Sequence, residues 1–262
     1  MRAILDSIVF AELFPLTLLA AIFVGFWGAA RFQRRKNRPW VPSGIESSVI
    51  GFFALLISFT MLNSNTQARK REALVHAESD NIGNISRISR LMPRPVQDSL
   101  NHYMCAYLQV KMDFVDKDMT KDEWKAATES VIAGLQAYIV HPTDSLHLNE
   151  KQKDQVMTRF NELSTLFYQM HYAYDERTPS LILFALFSGA LLVGALVGFM
   201  SGFPEKKHFL VPLIYFCLVT LTLQAIRDLD DPFHGTIKPS YRINKELFES
   251  LKQEQKLIRT LP

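Results

Sequence analysis

The amino-acid sequence predicts an all-α integral membrane protein, with four transmembrane helices and a helical extramembrane bundle between spans two and three. Three observations carry the prediction. Apolar residues make up 48% of the 262-residue chain and gather in four runs of membrane length, about 13–30, 47–62, 180–200 and 209–226. The second run passes without a helix breaker into the charged stretch Asn63–Leu91, so one helix leaves the hydrocarbon and continues into water. In the remainder of 63–179, apolar residues recur at spacings of three and four, the period of a helix with one buried face.

Taken in order, the first run, Leu13–Ala30, carries no charge. Asp6 and Glu12 precede it, Arg2 is the only early basic residue and a basic flank follows, so it reads as a retained span with Glu12 at the interface and not as a cleaved signal. The second helix opens after Pro42 at Ser43-Gly44-Ile45-Glu46, a capping-box spacing in which serine and glutamate satisfy each other's backbone donors. It stops at Pro93 and Pro95. A helix of roughly 48 residues is about 70 Å long, more than twice the ~30 Å hydrocarbon core.

Beyond the prolines, Val96, Leu100, Tyr103, Tyr107, Val110 and Phe114 form one stripe. A capping box at Thr120-Lys121-Asp122-Glu123 opens a helix with the stripe Trp124, Ala127, Val131, Leu135 and Tyr138. A longer helix follows Asn149, with Val156, Phe160, Leu163, Phe167, Met170 and Tyr174 on one face. These stripes predict an antiparallel bundle standing on the membrane. Thr178-Pro179 reads as the N-cap and first-turn proline of the third span. After the fourth span come Arg227-Asp228-Leu229-Asp230-Asp231-Pro232-Phe233-His234-Gly235 and an amphipathic tail around Ile243, Leu247 and Leu251. The expected division is 1–62 for the first transmembrane pair and 63–179 for a helical domain continuous with span two. Residues 180–227 form the second pair, and 228–262 an acidic turn with a tail helix.

Each pair of spans is joined by a short basic loop, residues 31–42 with Arg31, Arg34, Arg35, Lys36 and Arg38, and residues 201–208 with Lys206 and Lys207. The positive-inside rule puts both loops in the cytoplasm and the middle domain outside, against the opposing pull of Arg69-Lys70-Arg71, Arg227, Lys238 and Arg242.

Other classes are poorly supported. Cys105 and Cys217 lie in different regions and imply neither a disulfide framework nor a metal site, and a net charge of +3 does not argue for nucleic acid. No two of the seven histidines share one helical face with a neighbouring glutamate, and no phosphate loop or nucleophile elbow occurs. No catalytic residue and no cofactor is therefore expected; the expected partners are the lipid bilayer, inorganic ions and further copies of the chain.

The segment Gly51-Phe52-Phe53-Ala54-Leu55-Leu56-Ile57-Ser58-Phe59-Thr60, Glu78 with Ile82-Gly83 further along the same helix, and Asp228-Leu229-Asp230 followed by Pro232-Phe233-His234-Gly235 resemble the bestrophin-like family of four-span bacterial and plant membrane proteins. Asp231 stands where that family often carries a basic residue, which makes this cluster more acidic. The resemblance implies an oligomeric channel, a pentamer as in true bestrophins, with the second helix lining a pore. A function does not follow from a fold alone, and an anchored sensing or protein-interaction module is the competing reading.

Ser48, Gly51, Leu55, Ser58, Leu62 and Asn65 form a small and polar face on that helix. In an oligomer the face would surround a narrow path gated at Leu55 and Leu62; in a single subunit it would serve close helix packing. Asp228, Asp230 and Asp231, with Pro232 and Gly235, offer two alternatives. One is a partial site for a hard cation; the other is a helix-stop turn in which aspartates cap the next segment and Gly235 supplies a left-handed conformation, within reach of Arg69, Lys70 or Arg71. Glu78, about 24 Å beyond Leu62, belongs either to a charged ring in a vestibule or to a salt-bridging contact.

Overall fold

The structure, a computed structural model, describes residues 8–36, 43–117, 119–140, 148–203, 209–233 and 235–260. Among these the only regular elements are helices: α1 Ile8–Lys36, α2 Ile45–Ser89, α3 Arg94–Asp116, α4 Lys121–Val140, α5 Glu150–Asp175, α6 Ser180–Ser201, α7 Leu210–Asp230 and α8 Arg242–Thr260. Residues 37–42 and 204–208 of the basic loops, the side chain of Glu12 and residue His234 lie outside the described residues, and 31–36 continue α1. Four helices, α1, α2, α6 and α7, are long and apolar enough to cross a membrane.

Local chemistry accounts for the helix ends. The backbone N–H of Ser43 donates to the Glu46 carboxylate at 3.2 Å, Thr120 and Glu123 exchange reciprocal bonds, and Asn149 and Gln152 do the same. The α2 helix runs 45 residues without a break, as the continuous pattern predicts, and ends before Pro93. One start differs from expectation. The N-cap of α6 is Pro179, whose ring carries no hydrogen-bonding group, and the Thr178 hydroxyl lies instead 3.4 Å from that of Ser64.

The chain divides into two compact units, 1–68 with 176–238 and 69–175 with 239–262. Residues 228–262 therefore separate, the acidic turn going to the first unit and α8 to the second.

In the first unit α1 packs against α6 and α7, and α6 against α7. The core comprises Phe14, Leu18 and Ile22 of α1, Phe53 of α2, Leu186, Ala190, Val193 and Val197 of α6, and Val219, Leu223 and Ile226 of α7. Glycine permits the α1–α6 approach: a Cβ on Gly198 would sit 2.1 Å from the carbonyl oxygen of Ile22, and one on Gly25 would sit 2.0 Å from that of Ala195.

In the second unit α3 packs against α4 and α8, and α4 against α5. All six residues of the α5 stripe are buried. On α3, Val96, Leu100 and Tyr107 are buried, but Met104, Leu108 and Lys111 take the places expected of Tyr103, Val110 and Phe114. On α4 the buried line is Trp124, Thr128, Ile132, Leu135 and Ile139, so Ala127, Val131 and Tyr138 lie at its margin. The α8 line is Asn244, Phe248 and Leu251, with Ile243 exposed.

Candidate functional site

The apolar half of α2 packs one side only. Phe53, Thr60 and Ser64 are buried, Phe53 lying over Gly189 of α6 and the Ser64 hydroxyl 3.4 Å from that of Thr178. At 3.6 residues per turn, the face formed by Ser48, Gly51, Leu55, Ser58 and Leu62 points roughly 180° away from that side. It is uncovered: Leu55 is 53% and Leu62 61% exposed, Ser48, Gly51 and Ser58 are exposed, and Asn65 is half-buried. Packing within the chain's first unit therefore does not use this face. Phe52 and Phe59, adjacent on the wheel, are 71% and 62% exposed. The most apolar stretch of α2 is 17% buried against 44% for that of the third span, so α2 has the larger uncovered surface. Ser58 donates to the Ala54 carbonyl at 2.9 Å and Ser48 to Gly44 at 3.3 Å, which satisfies each hydroxyl proton inside the helix and leaves oxygen lone pairs outward.

The acidic residues at the end of α7 each accept from backbone N–H groups of their own. Asp228 accepts from the backbone N–H of Thr236 at 2.6 Å and Ile237 at 2.9 Å and from the Thr236 hydroxyl at 2.8 Å, so it caps the following segment. Asp230, 5% exposed, accepts from the N–H of Thr178 at 2.6 Å, which ties the start of α6 to the end of α7. Asp231 accepts from the N–H of Phe233 at 3.1 Å and stands 3.6 Å from the Arg177 guanidinium. Such divergent carboxylates build a turn; among the described residues no group of three or more acidic, histidine or cysteine side chains converges as a metal site would require. Pro232 follows the helix end as expected. Gly235 does not take the left-handed conformation expected of it; Gly44, at φ 85°, is the described glycine that does. Gly235 is needed for closeness instead, since a Cβ there would lie 2.4 Å and 2.5 Å from the carbonyl oxygens of Asp228 and Asp231.

In the second unit Arg69 and Lys70 are exposed, whereas Arg71 is 1% exposed. Glu78 is 0% exposed, so within this unit it lines no open surface. Its carboxylate accepts from the Tyr107 hydroxyl at 2.5 Å, from the Lys111 ammonium at 3.2 Å and from the Asn244 amide at 3.4 Å. Lys111, 1% exposed, also lies 2.6 Å from the Met170 sulfur, 4.8 Å from the Trp124 ring centre and 5.7 Å from that of Tyr241, whose hydroxyl bonds Tyr174. Burial pushes the Lys111 amine below its ordinary value against the upward pull of Glu78, and burial with the Glu78 charge pushes the Tyr107 phenol well up. Glu78 was legible as an ion-pairing residue; Tyr107, Lys111 and Asn244 were missed as its partners. The signal was available at Lys111, a charge four residues beyond Tyr107 on the buried line of α3.

A model of the bestrophin-like domain matches residues 16–242 of the chain. Solved structures with the same fold include two single-residue variants of a bacterial bestrophin homologue from Klebsiella pneumoniae. One aligns with a TM-score of 0.70 at 10% identity, covering 95% of this chain and 100% of the other. The second aligns with a TM-score of 0.70 at 12% identity, covering 93% and 99%. A structure described as a membrane protein aligns with a TM-score of 0.72 at 12% identity, covering 92% and 98%. No curated protein sequence matches the chain.

Proposed function

The chain belongs to the bestrophin-like family, and from that premise we propose that it assembles as a homo-oligomer in the bacterial cell membrane around an ion-conducting path lined by α2. The observation that carries the proposal is the uncovered face of Ser48, Gly51, Leu55, Ser58 and Leu62, opposed on the same helix to the buried face of Phe53, Thr60 and Ser64. A face turned away from its own subunit and bearing two outward hydroxyls suits a narrow hydrated path better than lipid contact. Rings of Leu55 and Leu62 would act as apolar constrictions that gate by dewetting, with Gly51 and Ser58 leaving room and oxygen for a partly hydrated ion between them.

The test is current recorded from purified protein in planar bilayers. Leu62→Ser is expected to raise unitary conductance by wetting the constriction, and Leu55→Val to alter it by widening the ring. Unaltered currents in both variants would remove α2 from the path, and silent wild-type protein would remove conduction. The anchored sensing module has one observation in its favour, an open groove of about 690 Å³ in the second unit, lined by Asp80, Asn81, Arg159 and Glu162 among others. Silent bilayers together with ligand-dependent stabilisation would favour that reading. Sidedness follows the basic loops: a reporter enzyme fused after Thr143 is expected to act outside the cytoplasm, and activity confined to the cytoplasm would reverse the topology.

A further inference from the structure

We propose that the buried cluster around Glu78 and Lys111 sets the rotation of α2 about its own axis, and so selects which face of the helix is offered to the path. Glu78 and Lys111 are then positioning residues for conduction, and the inference rests on the path proposed along α2.

Three features carry it. The first is energetic. A charge pair 0% and 1% exposed has lost nearly all hydration, and such pairs stabilise no better than well-packed apolar residues of similar size. What a buried pair does supply is direction, and fixing one register among several is the best-attested use of buried polar groups. The second feature is the arrangement of donors. Tyr107 and Lys111 of α3 and Asn244 of α8 approach the one carboxylate from two helices. Lys111 is itself held by Met170, Trp124 and Tyr241, so the anchor cannot follow a turning helix without breaking several directional contacts at once.

The third feature is the helix. Glu78 and the path face share the uninterrupted α2. On its wheel Glu78 falls roughly in line with Phe53, Thr60 and Ser64 and opposite Leu55 and Leu62. One residue of rotational slip is about 100°, enough to replace Leu55 and Ser58 with the bulkier Phe52 and Phe59.

Thiol labelling tests the proposal without relying on current. Single cysteines are placed at Ser58, Ile57 and Phe59 in a background with Cys105 and Cys217 replaced by alanine, and the full-length protein in nanodiscs is treated with a membrane-impermeant charged thiol reagent. With the pair intact, Ser58→Cys is expected to react and Ile57→Cys to stay protected. With Glu78→Met/Lys111→Met, reaction at Ser58→Cys is expected to fall by about twofold to thirtyfold, the span of couplings carried through packed networks, while Phe59→Cys gains reactivity. A merely structural pair would leave the labelling pattern in place. Where the apolar pair does not assemble, Tyr107→Phe, which removes one hydroxyl, provides the comparison. An unchanged pattern in either folded variant overturns the positioning role, whereas an inert Ser58→Cys with the pair intact overturns the path itself.

Discussion

Replacing Gly198 with alanine should separate α1 from α6. The new Cβ would lie 2.1 Å from the Ile22 carbonyl oxygen and 2.9 Å from its carbon, both backbone atoms that no rotamer change can move. Restoring ordinary contact of about 3.4 Å requires the two helices to part by at least about 1 Å, and such a gap forfeits a quarter to a half or more of the dispersion energy across the seam. Leu18 and Ile22 fill that seam at 0% and 4% exposure. With about 50 contacts of ~0.15 kcal/mol for each side chain, and half of them directed at α6, the loss comes to roughly 2–4 kcal/mol. Lipid offers no hydrophobic compensation, since tails are as apolar as the side chains they would touch. The assay is thermal unfolding in detergent followed by size-exclusion chromatography, with an expected fall in melting temperature on the order of 10 °C. Gly51→Ala, whose Cβ would meet nothing within 4 Å, is the matched control and should leave stability unchanged. A Gly198→Ala protein that melts within about 2 °C of wild type would refute the reasoning that close backbone approach holds these helices.

Other perturbations have equally definite expectations. Lys111→Met leaves the Glu78 carboxylate buried without its cation and should cost about 3–5 kcal/mol, read from the fluorescence of the buried Trp124 during melting; Glu78→Met/Lys111→Met should recover most of it. At alkaline pH, burial keeps Tyr107 and Tyr241 protonated well above their ordinary 10.0, so the stability they contribute is intact below that pH and is lost as pH rises toward their folded-state values. Lys111, held below its ordinary 10.5, has the opposite sign, but its contribution is complete once that pH is passed. Melting temperature should therefore fall above pH 10.5, less steeply in Tyr107→Phe. Gly235→Ala drives a methyl into the carbonyls of Asp228 and Asp231, and Asp228→Asn removes a charged acceptor of three bonds. Each should cost about 1–3 kcal/mol and expose the turn to proteolysis.

What could be read in advance depended on whether the deciding forces were local. The starts at Thr120 and Asn149 are settled within four residues, and they hold; at Ser43 the glutamate caps the serine N–H, while the serine hydroxyl turns to the carboxylate and not to the Glu46 N–H. The α5 stripe is also right throughout, because its other faces are polar and one arc alone can be buried. On α4 two overlapping stripes share Trp124 and Leu135; the partner helices chose Thr128, Ile132 and Ile139 over Ala127, Val131 and Tyr138, and nothing in α4 itself records that choice. The small face of α2 was legible as a pattern, while its direction away from the subunit required the fold. Gly235 was recognised as necessary for the wrong reason: composition suggests a left-handed turn, and the crowding by two carbonyls is visible only when the chain has folded back on itself. The Glu78 partners come from residues 107, 111 and 244, separations over which no periodicity speaks.

The seam between α1 and α6 also imposes an order in time. Its two sides lie at Gly25 and Gly198, with the whole of α2 through α5 between them. At the usual 5–20 residues per second, a ribosome that has released α1 takes roughly ten to thirty seconds to deliver α6. Throughout that interval the groove on α1 must be filled by lipid or by an insertion factor, and the polypeptide already made includes most of the second unit. The protein therefore closes this seam only after α2 through α5 have been made, and a chain truncated anywhere before α6 leaves α1 in the bilayer without the helix it was shaped to receive.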